Sequence, residues 1–309
     1  MNLQKGVFRF EPDGEDAGNR LDVFIPSADE RFSRTLVRKV VDLGGVHVAG
    51  KRVRRCSHTV REGERIELFL DGLQLEPFNL EECHVLFRDE YLIAINKPSG
   101  IETNPTPARY KGTLYEALLR FLKNPCRPLD RPELGMVQRL DRDTSGVMVF
   151  STHRKAHKPL TIAFRERKVR KVYRALVAGH LESKEGEFRS LLARSHATNR
   201  MKSVARGGRE AVTIYRVVEE FSAASLVEVD IPTGRSHQIR VHFSEAGHPL
   251  LGDGKYTGKD QLAYVDCQRT MLHAFRLVLK HPVENRKLHL EAPLPEDMLA
   301  VIRRLGESK

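Results

Sequence analysis

Apolar positions along the chain change period several times, and each change marks an element. From Asn19 the spacing of Leu21, Phe24 and Ile25 is helical. Ser33 then offers an N-cap to a second helix with Leu36, Val37, Val40 and Val41 on one face, ended by Gly44 or Gly45. Val46-His-Val48 reads as a strand, Ala49-Gly50 as a turn, and Arg65 to Leu70 as a second strand after the Glu62-Gly63 turn. The acidic, proline-containing stretch from Asp71 reads as a linker. Beyond it, Val85 to Phe87 and Leu92 to Ile95 predict two strands around an Arg88-Asp89-Glu90 turn. A helix over Thr113 to Leu122 is opened by a capping box, Thr113 with Glu116. Val147 to Phe150 is short, apolar and β-branched-rich, the pattern of a buried strand, and the polar run Asp141 to Gly146 before it reads as a loop.

A helix is expected over His153 to Arg167, then an alternating strand with Val172, Arg174 and Leu176 on one face and Lys171, Tyr173, Ala175 and Val177 on the other. Gly186 to Tyr215 is polar and basic, and reads as a strand-poor hairpin with a mobile tip. Leu226 to Ile231 alternates cleanly. Ser236 is placed to cap a helix that turns Ile239, Phe243 and Ala246 inward and ends at Gly247. A strand running to Leu279 and a helix from Glu296 to Leu305 complete the pattern. The expected organisation is an N-terminal extension (1–18), a small helix-helix-strand domain (19–70), a linker (71–82) and a large domain (83–309).

Composition narrows the classes. The 309 residues are 40% hydrophobic, enough for two domains with real cores. Lys+Arg number 52 against 41 Asp+Glu, a net charge of +11, and the pI is near 9.6. That sign favours a polyanionic partner. In the small domain the cations cluster, with Arg34 and Arg38 one helical turn apart and Lys51, Arg52, Arg54 and Arg55 following the turn. Such a surface gains affinity for phosphates by counterion release. The first residues lack an apolar core of a signal peptide, and no stretch reaches the length of a membrane span. The four cysteines are scattered without paired spacing, which argues against a zinc knuckle or a disulfide framework and for a cytoplasmic setting.

The candidate chemistry centres on Asp141. It sits in a loop leading into a scaffold strand, with Arg139 and Arg142 close in sequence. Nearby cations favour an ionised carboxylate, suited to a nucleophile or base. The same Asp-x-Asp-Thr-Ser-Gly run is also what an ordinary polar turn looks like. Tyr173 fits either a core position or a platform for an unstacked base. Arg235 and Arg240 flank the start of a helix, a good setting for an anion. Several alternatives fail on spacing. Gly45 to Lys51 lacks the Ser/Thr and the helix of a phosphate-binding loop, and Gly252 to Lys259 has the wrong glycine spacing. His153 and His157 lack the glutamate of a metalloprotease helix. Ser145 has no nucleophile elbow.

Six segments together resemble the RluA-type RNA pseudouridine synthases: Asn96-Lys-Pro-Ser-Gly100, Arg139-Leu-Asp-Arg-Asp-Thr-Ser-Gly146, Lys171-Val-Tyr-Arg-Ala175, Thr233-Gly-Arg-Ser-His-Gln-Ile-Arg240, Gly247-His-Pro-Leu-Leu-Gly-Asp253 and Ala292-Pro-Leu-Pro295. Arg20-Leu-Asp, Ser33-Arg34, Gly45 to Lys51 and Val60-x-x-Gly63 resemble the S-four type RNA-binding domain. The resemblance implies an α+β fold, a mixed and largely antiparallel sheet with flanking helices and a cleft. It implies isomerisation of uridine to pseudouridine in RNA without cofactor or metal. Asp141 would be the catalytic aspartate, Tyr173 would stack on the uracil and Arg240 would pair with Asp141. Ile239 would pack beneath, Arg139 would fill the gap left by the flipped base, and Lys171 and Arg235 would support the substrate. Arg34, Arg38 and Lys51 would hold the RNA through the small domain. Gln138 departs from the family's usual histidine, and Thr103-Asn104-Pro105 from its usual His-Pro.

The expected partner is therefore ribosomal RNA, with transfer RNA as the second candidate, for a monomer with no membrane association. Two rivals stay open. One is an inactive RNA-binding or ribosome-assembly factor on the same fold. The other is a hydrolase using Asp141 with Asp143, which metal dependence and release of free uracil would reveal.

Overall fold

The computed structural model describes residues 5–127, 129–257 and 267–307. They form two compact units, residues up to 81 with 101–131, and residues 82–100 with 132 onward. The first unit begins with β1 (Gly6–Phe10), a strand within the expected N-terminal extension. Helices α1 (Leu21–Ala28) and α2 (Arg34–Leu43) follow. Ser33 accepts from the Leu36 amide and Gly44 closes α2 in the left-handed conformation, as the pattern predicts. Strands β2 (Val46–Val48), β3 (Lys51–Val53) and β4 (Ile66–Leu70) complete a four-stranded sheet in the order β1-β4-β2-β3. Ala49 and Gly50 both take positive φ, 47° and 75°, the geometry of a tight hairpin between β2 and β3. The core of this unit gathers Leu21, Phe24, Ile25, Val37, Val41, Ile66 and Leu68, all essentially inaccessible.

The segment 101–131, which the sequence reading placed in the large domain, belongs to this first unit. Arg109 explains why. Its buried guanidinium donates to both Asp71 oxygens and to the Gln74 and Glu76 carbonyls, which ties the segment to the stretch read as a linker. Within it, α3 (Leu114–Phe121) is capped by Thr113, whose Oγ1 accepts from the Glu116 amide.

The second unit carries an eleven-stranded sheet among the described residues. Its strands are β5 (Val85–Arg88), β6 (Leu92–Lys97), β7 (Gly135–Met136), β8 (Ser145–Ser151), β9 (Arg170–Ala178), β10 (Glu185–Arg194), β11 (Met201–Val204), β12 (Arg209–Glu220), β13 (Ala224–Asp230), β14 (Leu272–Lys280) and β15 (Lys287–Glu291). The main order is β11-β10-β12-β13-β9-β14-β8-β6-β5, with β15 beside β14 and β7 beside β8. All pairings are antiparallel except β14 with β8. The mixed, largely antiparallel sheet is thus as expected.

Helices α4 (Arg154–Arg165), α5 (Gln238–Glu245) and α6 (Glu296–Glu307) pack on the sheet. Strand β9 shows how. Ala175 and Val177 pack with Ile239 and Phe243 of α5, while the intervening Leu176 packs with Met298 and Val301 of α6. The period-two alternation of β9 therefore holds a helix on each face. No helix among the described residues is long and apolar enough to cross a membrane.

Two expectations need correction. Gly186 to Tyr215 is not strand-poor, because it contains β10, β11 and most of β12, in register from Glu185–Arg216 to Leu192–Arg209. Its charged residues alternate with the buried Leu192, Ala211 and Tyr215 and the partly buried Phe188, which supply the inner face. Nor does Ser236 cap α5. The N-cap is His237, with φ of 54° and no side-chain cap bond. The side chain of Gln238 instead holds the turn that leads into the helix, accepting from the Arg235 amide and from Thr233 Oγ1.

Gly146 marks where the sheet turns parallel. Its φ is +114°, and a Cβ there would meet Ala274 O at 2.2 Å. Gly146→Ala is expected to cost about 3 kcal/mol or more, from backbone collision and a disfavoured φ together. An unchanged thermal midpoint for this variant would contradict that account.

Candidate active site

The stretch around Asp141 lies between β7 and β8, in the second unit. Every residue of β8 is buried, so the strand is a fixed base for the loop. Lys97, at the end of β6, is also fully buried. Its Nζ donates to the carbonyls of Pro98, Arg142 and Thr144, each at 2.9 Å. A buried ammonium with carbonyl acceptors is satisfied, and here it staples the loop to the Lys97-Pro-Ser-Gly turn. Arg269 reaches the same loop from the start of β14, donating to the Asp143 carbonyl at 3.1 Å. Below the loop, Ser145 Oγ lies 2.8 Å from His273 Nδ1, and both are buried. Burial pushes His273 down to about 4, so the ring is neutral there.

A small cavity of about 60 Å³ opens at Asp141. Asp141, Tyr173, Arg240, Arg139, Ile239 and Arg235 all line it. Tyr173 arrives from β9, and the others from the loop and from the entry to α5. Burial raises the Tyr173 phenol, with the Asp141 charge acting in the same direction, so its proton is held. Arg139 is exposed, whereas Ile239 is 4% exposed and part of the core beneath α5. Lys171 is on the same strand face as Tyr173 but is not among the cavity's lining, and burial lowers its ammonium. Arg235 is lowered by burial and by Arg167 and Arg209, and its Nε donates to Glu210 O at 2.9 Å.

Arg240 Nη1 donates to Asp141 Oδ2 at 2.9 Å. The flanking Arg142, expected beside Asp141 from its place in the chain, instead forks onto Asp143 at 2.8 and 3.1 Å. Adjacent side chains on a turn point apart, so the cation came from α5, 99 residues along the chain. Asp143 is correspondingly held low: burial alone would raise it, and Arg142, with Lys97 and Arg240, outweighs burial.

Three site residues were given no role from sequence. Asp253 is fully buried and binds Arg240 Nε and Nη2, one to each oxygen, both at 2.7 Å. Its signal was present in the Gly252-Asp253 turn, since a half-buried arginine between elements needs a carboxylate. His237 Nε2 lies 3.7 Å from Asp141 Oδ2. Tyr256 presents its hydroxyl to His237 Nδ1 at 2.7 Å and its ring to Arg240, 5.1 Å from Cζ. Neither contact follows from spacing. Gln138, two residues beyond β7, places Nε2 3.5 Å from Val147 O.

Arg34, Arg38 and Lys51 lie in the first unit. Arg20, Arg34 and Arg38 all donate through Nε to the buried Asp22, at 2.9, 3.1 and 2.7 Å. Burial would raise the Asp22 carboxyl, but the three guanidiniums hold it far below the usual range. The network fixes the arginine stems while their side chains stay about half exposed. Lys51 is exposed at the β2–β3 turn. Arg52, by contrast, donates to Thr106 O at 2.6 Å, and Arg54 stacks on Tyr110, 3.6 Å from the ring centre.

A carboxylate held by an arginine, beside a phenol and an exposed arginine, is thus gathered at one small cavity. Residues 91–245 match the family described as RNA pseudouridylate synthase. The chain is 36% identical to an uncharacterized RNA pseudouridine synthase of Aquifex aeolicus, over 97% of this chain and 98% of that one. It is 35% identical to the ribosomal large subunit pseudouridine synthase D of Nitrosomonas europaea, over 93% of this chain and 84% of that one. The solved structure of human RNA pseudouridylate synthase domain containing 4 aligns with a TM-score of 0.60 and 26% identity, covering 72% of this chain and 93% of that one. The chain belongs to the RluA family of RNA pseudouridine synthases, isomerases that act on RNA.

Proposed function

We propose that the protein converts uridines of large-subunit ribosomal RNA to pseudouridine, with Asp141 as the catalytic carboxylate. The observation that carries this reading is the convergence of Asp141, Arg240 and Tyr173 on one cavity. The name of the Nitrosomonas relative supports ribosomal RNA as the substrate class. In the reaction the bond from ribose C1′ to uracil N1 breaks, the base rotates, and C1′ joins uracil C5. The C5 proton leaves to solvent and N1 gains one, so the product is an isomer of the substrate. Asp141 acts on the ribose, Tyr173 stacks on the uracil and its phenol lies near C5. Ile239 packs below the ring. Arg139, exposed at the cavity mouth, takes the place the base vacates in the RNA. Arg235 and Lys171 supply cationic support.

The first unit is read as an S-four type RNA-binding domain over residues 19–70. Its arginines, braced on Asp22, and Lys51 meet phosphates, and such contacts position RNA without reading its sequence. The enzyme acts as a cytoplasmic monomer in this reading.

The test is tritium release from ribosomal RNA labelled at uracil C5 and isolated from cells lacking the enzyme, in EDTA. Wild-type protein is expected to release tritium to near one equivalent per site, with no free uracil. Uracil release or loss of activity in EDTA would replace the isomerase with a hydrolase. Tight RNA binding with no release, on ribosomal and transfer RNA alike, would leave an RNA-binding factor.

A further inference from the structure

We propose that Tyr256 is a positioning residue that fixes the tautomer of His237, and that His237 turns its Nε2–H toward Asp141 so that Oδ1 is left to face the substrate. The inference rests on Asp141 being the reacting carboxylate. It begins with a backbone oddity. His237 holds φ at 54°, a conformation that costs a non-glycine side chain about 1 kcal/mol or more. That conformation sets the imidazole between Asp141 and Tyr256, at the entry to α5.

The tautomer follows from hydrogen-bond accounting. Tyr256 Oη already accepts from the Met201 amide at 3.1 Å. Its other polar neighbour among the described residues is His237 Nδ1, at 2.7 Å. Were Nδ1 protonated, both neighbours would donate to the phenol oxygen and the phenol proton would have no acceptor among the described residues. The phenol therefore donates to Nδ1, and the neutral ring carries its proton on Nε2. The surroundings agree. Burial pushes His237 down to about 4 against the opposing pull of Asp141, and burial raises Tyr256, which keeps its proton.

Nε2 then faces the same oxygen that Arg240 holds. Arg240 Nη1 is 2.9 Å from Asp141 Oδ2 and His237 Nε2 is 3.7 Å from it. The longer distance is outside hydrogen-bond range in the substrate-free site, and catalytic hydrogen bonds of this kind tighten when substrate closes the pocket. Oδ1 makes no hydrogen bond among the described residues. A carboxylate is symmetric until its surroundings distinguish its oxygens. Here Arg240 bonds Oδ2 and His237 Nε2 faces the same oxygen, while Oδ1 has neither. Arg240 thereby marks the reacting oxygen before RNA arrives, and His237 completes the pair as the pocket closes.

Tyr256 has a second contact, its ring against Arg240, so the test must separate hydroxyl from ring. Tyr256→Phe does this, keeping the ring and removing the hydroxyl. Long-range proton–nitrogen spectra of histidine-labelled protein report which ring nitrogen holds the proton. Wild type is expected to show His237 protonated at Nε2, and Tyr256→Phe to show a mixture. In tritium release Tyr256→Phe is expected to lower kcat about tenfold, the worth of one hydrogen bond, with KM for RNA within about twofold. His237→Gln, whose amide reaches the Nε2 position, is expected to retain at least several-fold more kcat than His237→Leu. A proton on Nδ1 in the wild type, or an unchanged kcat in Tyr256→Phe, overturns the proposal. So does equal damage from the Gln and Leu variants. The spectra need no turnover, so an inactive wild type would defeat the isomerase reading and leave the tautomer to be judged separately.

Discussion

Asp141→Asn is expected to abolish tritium release, lowering kcat by about 10⁴-fold or more, while the protein stays folded and binds RNA with affinity within about threefold of wild type. The change is isosteric. An amide oxygen still accepts from Arg240 Nη1, now at 2.9 Å from Asp141 Oδ2, so the site keeps its shape. Folding is protected by charge. Arg240 also meets the buried Asp253 through two hydrogen bonds of 2.7 Å, so removing the Asp141 charge leaves a balanced pair. An amide, however, is neither a nucleophile toward C1′ nor a base at ordinary pH. Single-turnover tritium release and filter binding, run on matched samples, separate the two effects. Release within about tenfold of wild type would remove Asp141 from the chemistry. An equal loss of RNA affinity would make the residue a binding group instead.

The local elements were legible because helix ends and strand periods are short-range physics. Ser33, Gly44 and Thr113 cap helices as their side chains and backbone freedom dictate, and β8 is the buried strand its apolar run predicts. The misreadings share a cause. Gly186 to Tyr215 looked strand-poor because its apolar positions are sparse and its charges dense. Long-range pairing with β12 and β13 decided the matter. The same holds for residues 101–131, whose allegiance is set by Arg109 reaching Asp71, a contact 38 positions apart. At the site, the carboxylate was visible, but its local arginines misled. The pairing with Arg240 came from family resemblance and not from spacing, and Asp253, His237 and Tyr256 acquire meaning only when the loop after Leu250 folds back against α5.

Asp253→Asn is expected to lower kcat by about 10²-fold and to cost about 3 kcal/mol of stability, a larger structural effect than Asp141→Asn despite the lack of any contact with the reacting atoms. Asp253 is fully buried, and its Oδ1 accepts from the amides of Lys255 and Tyr256 at 3.1 and 3.3 Å as well as from Arg240. One carboxylate thus sets both the arginine and the turn that carries Tyr256. Asparagine removes one acceptor and the compensating charge and puts an NH2 group against a guanidinium, so Arg240 is left half-buried with Asp141 as its counter-charge. Arg240 would be drawn toward Asp141, tightening the pair it should only hold, and Tyr256 would shift with its turn. Burial and both carboxylates act on Arg240: burial lowers it, and Asp253 then Asp141 raise it far more, so it stays charged in wild type at every working pH. The rate loss is therefore one of geometry and not of titration, and the pH profile of the residual activity should keep the wild-type shape. Thermal denaturation and steady-state tritium release on the same preparation check both halves. A melting temperature unchanged within about 2 °C together with kcat within threefold would show that Arg240 needs no partner other than Asp141.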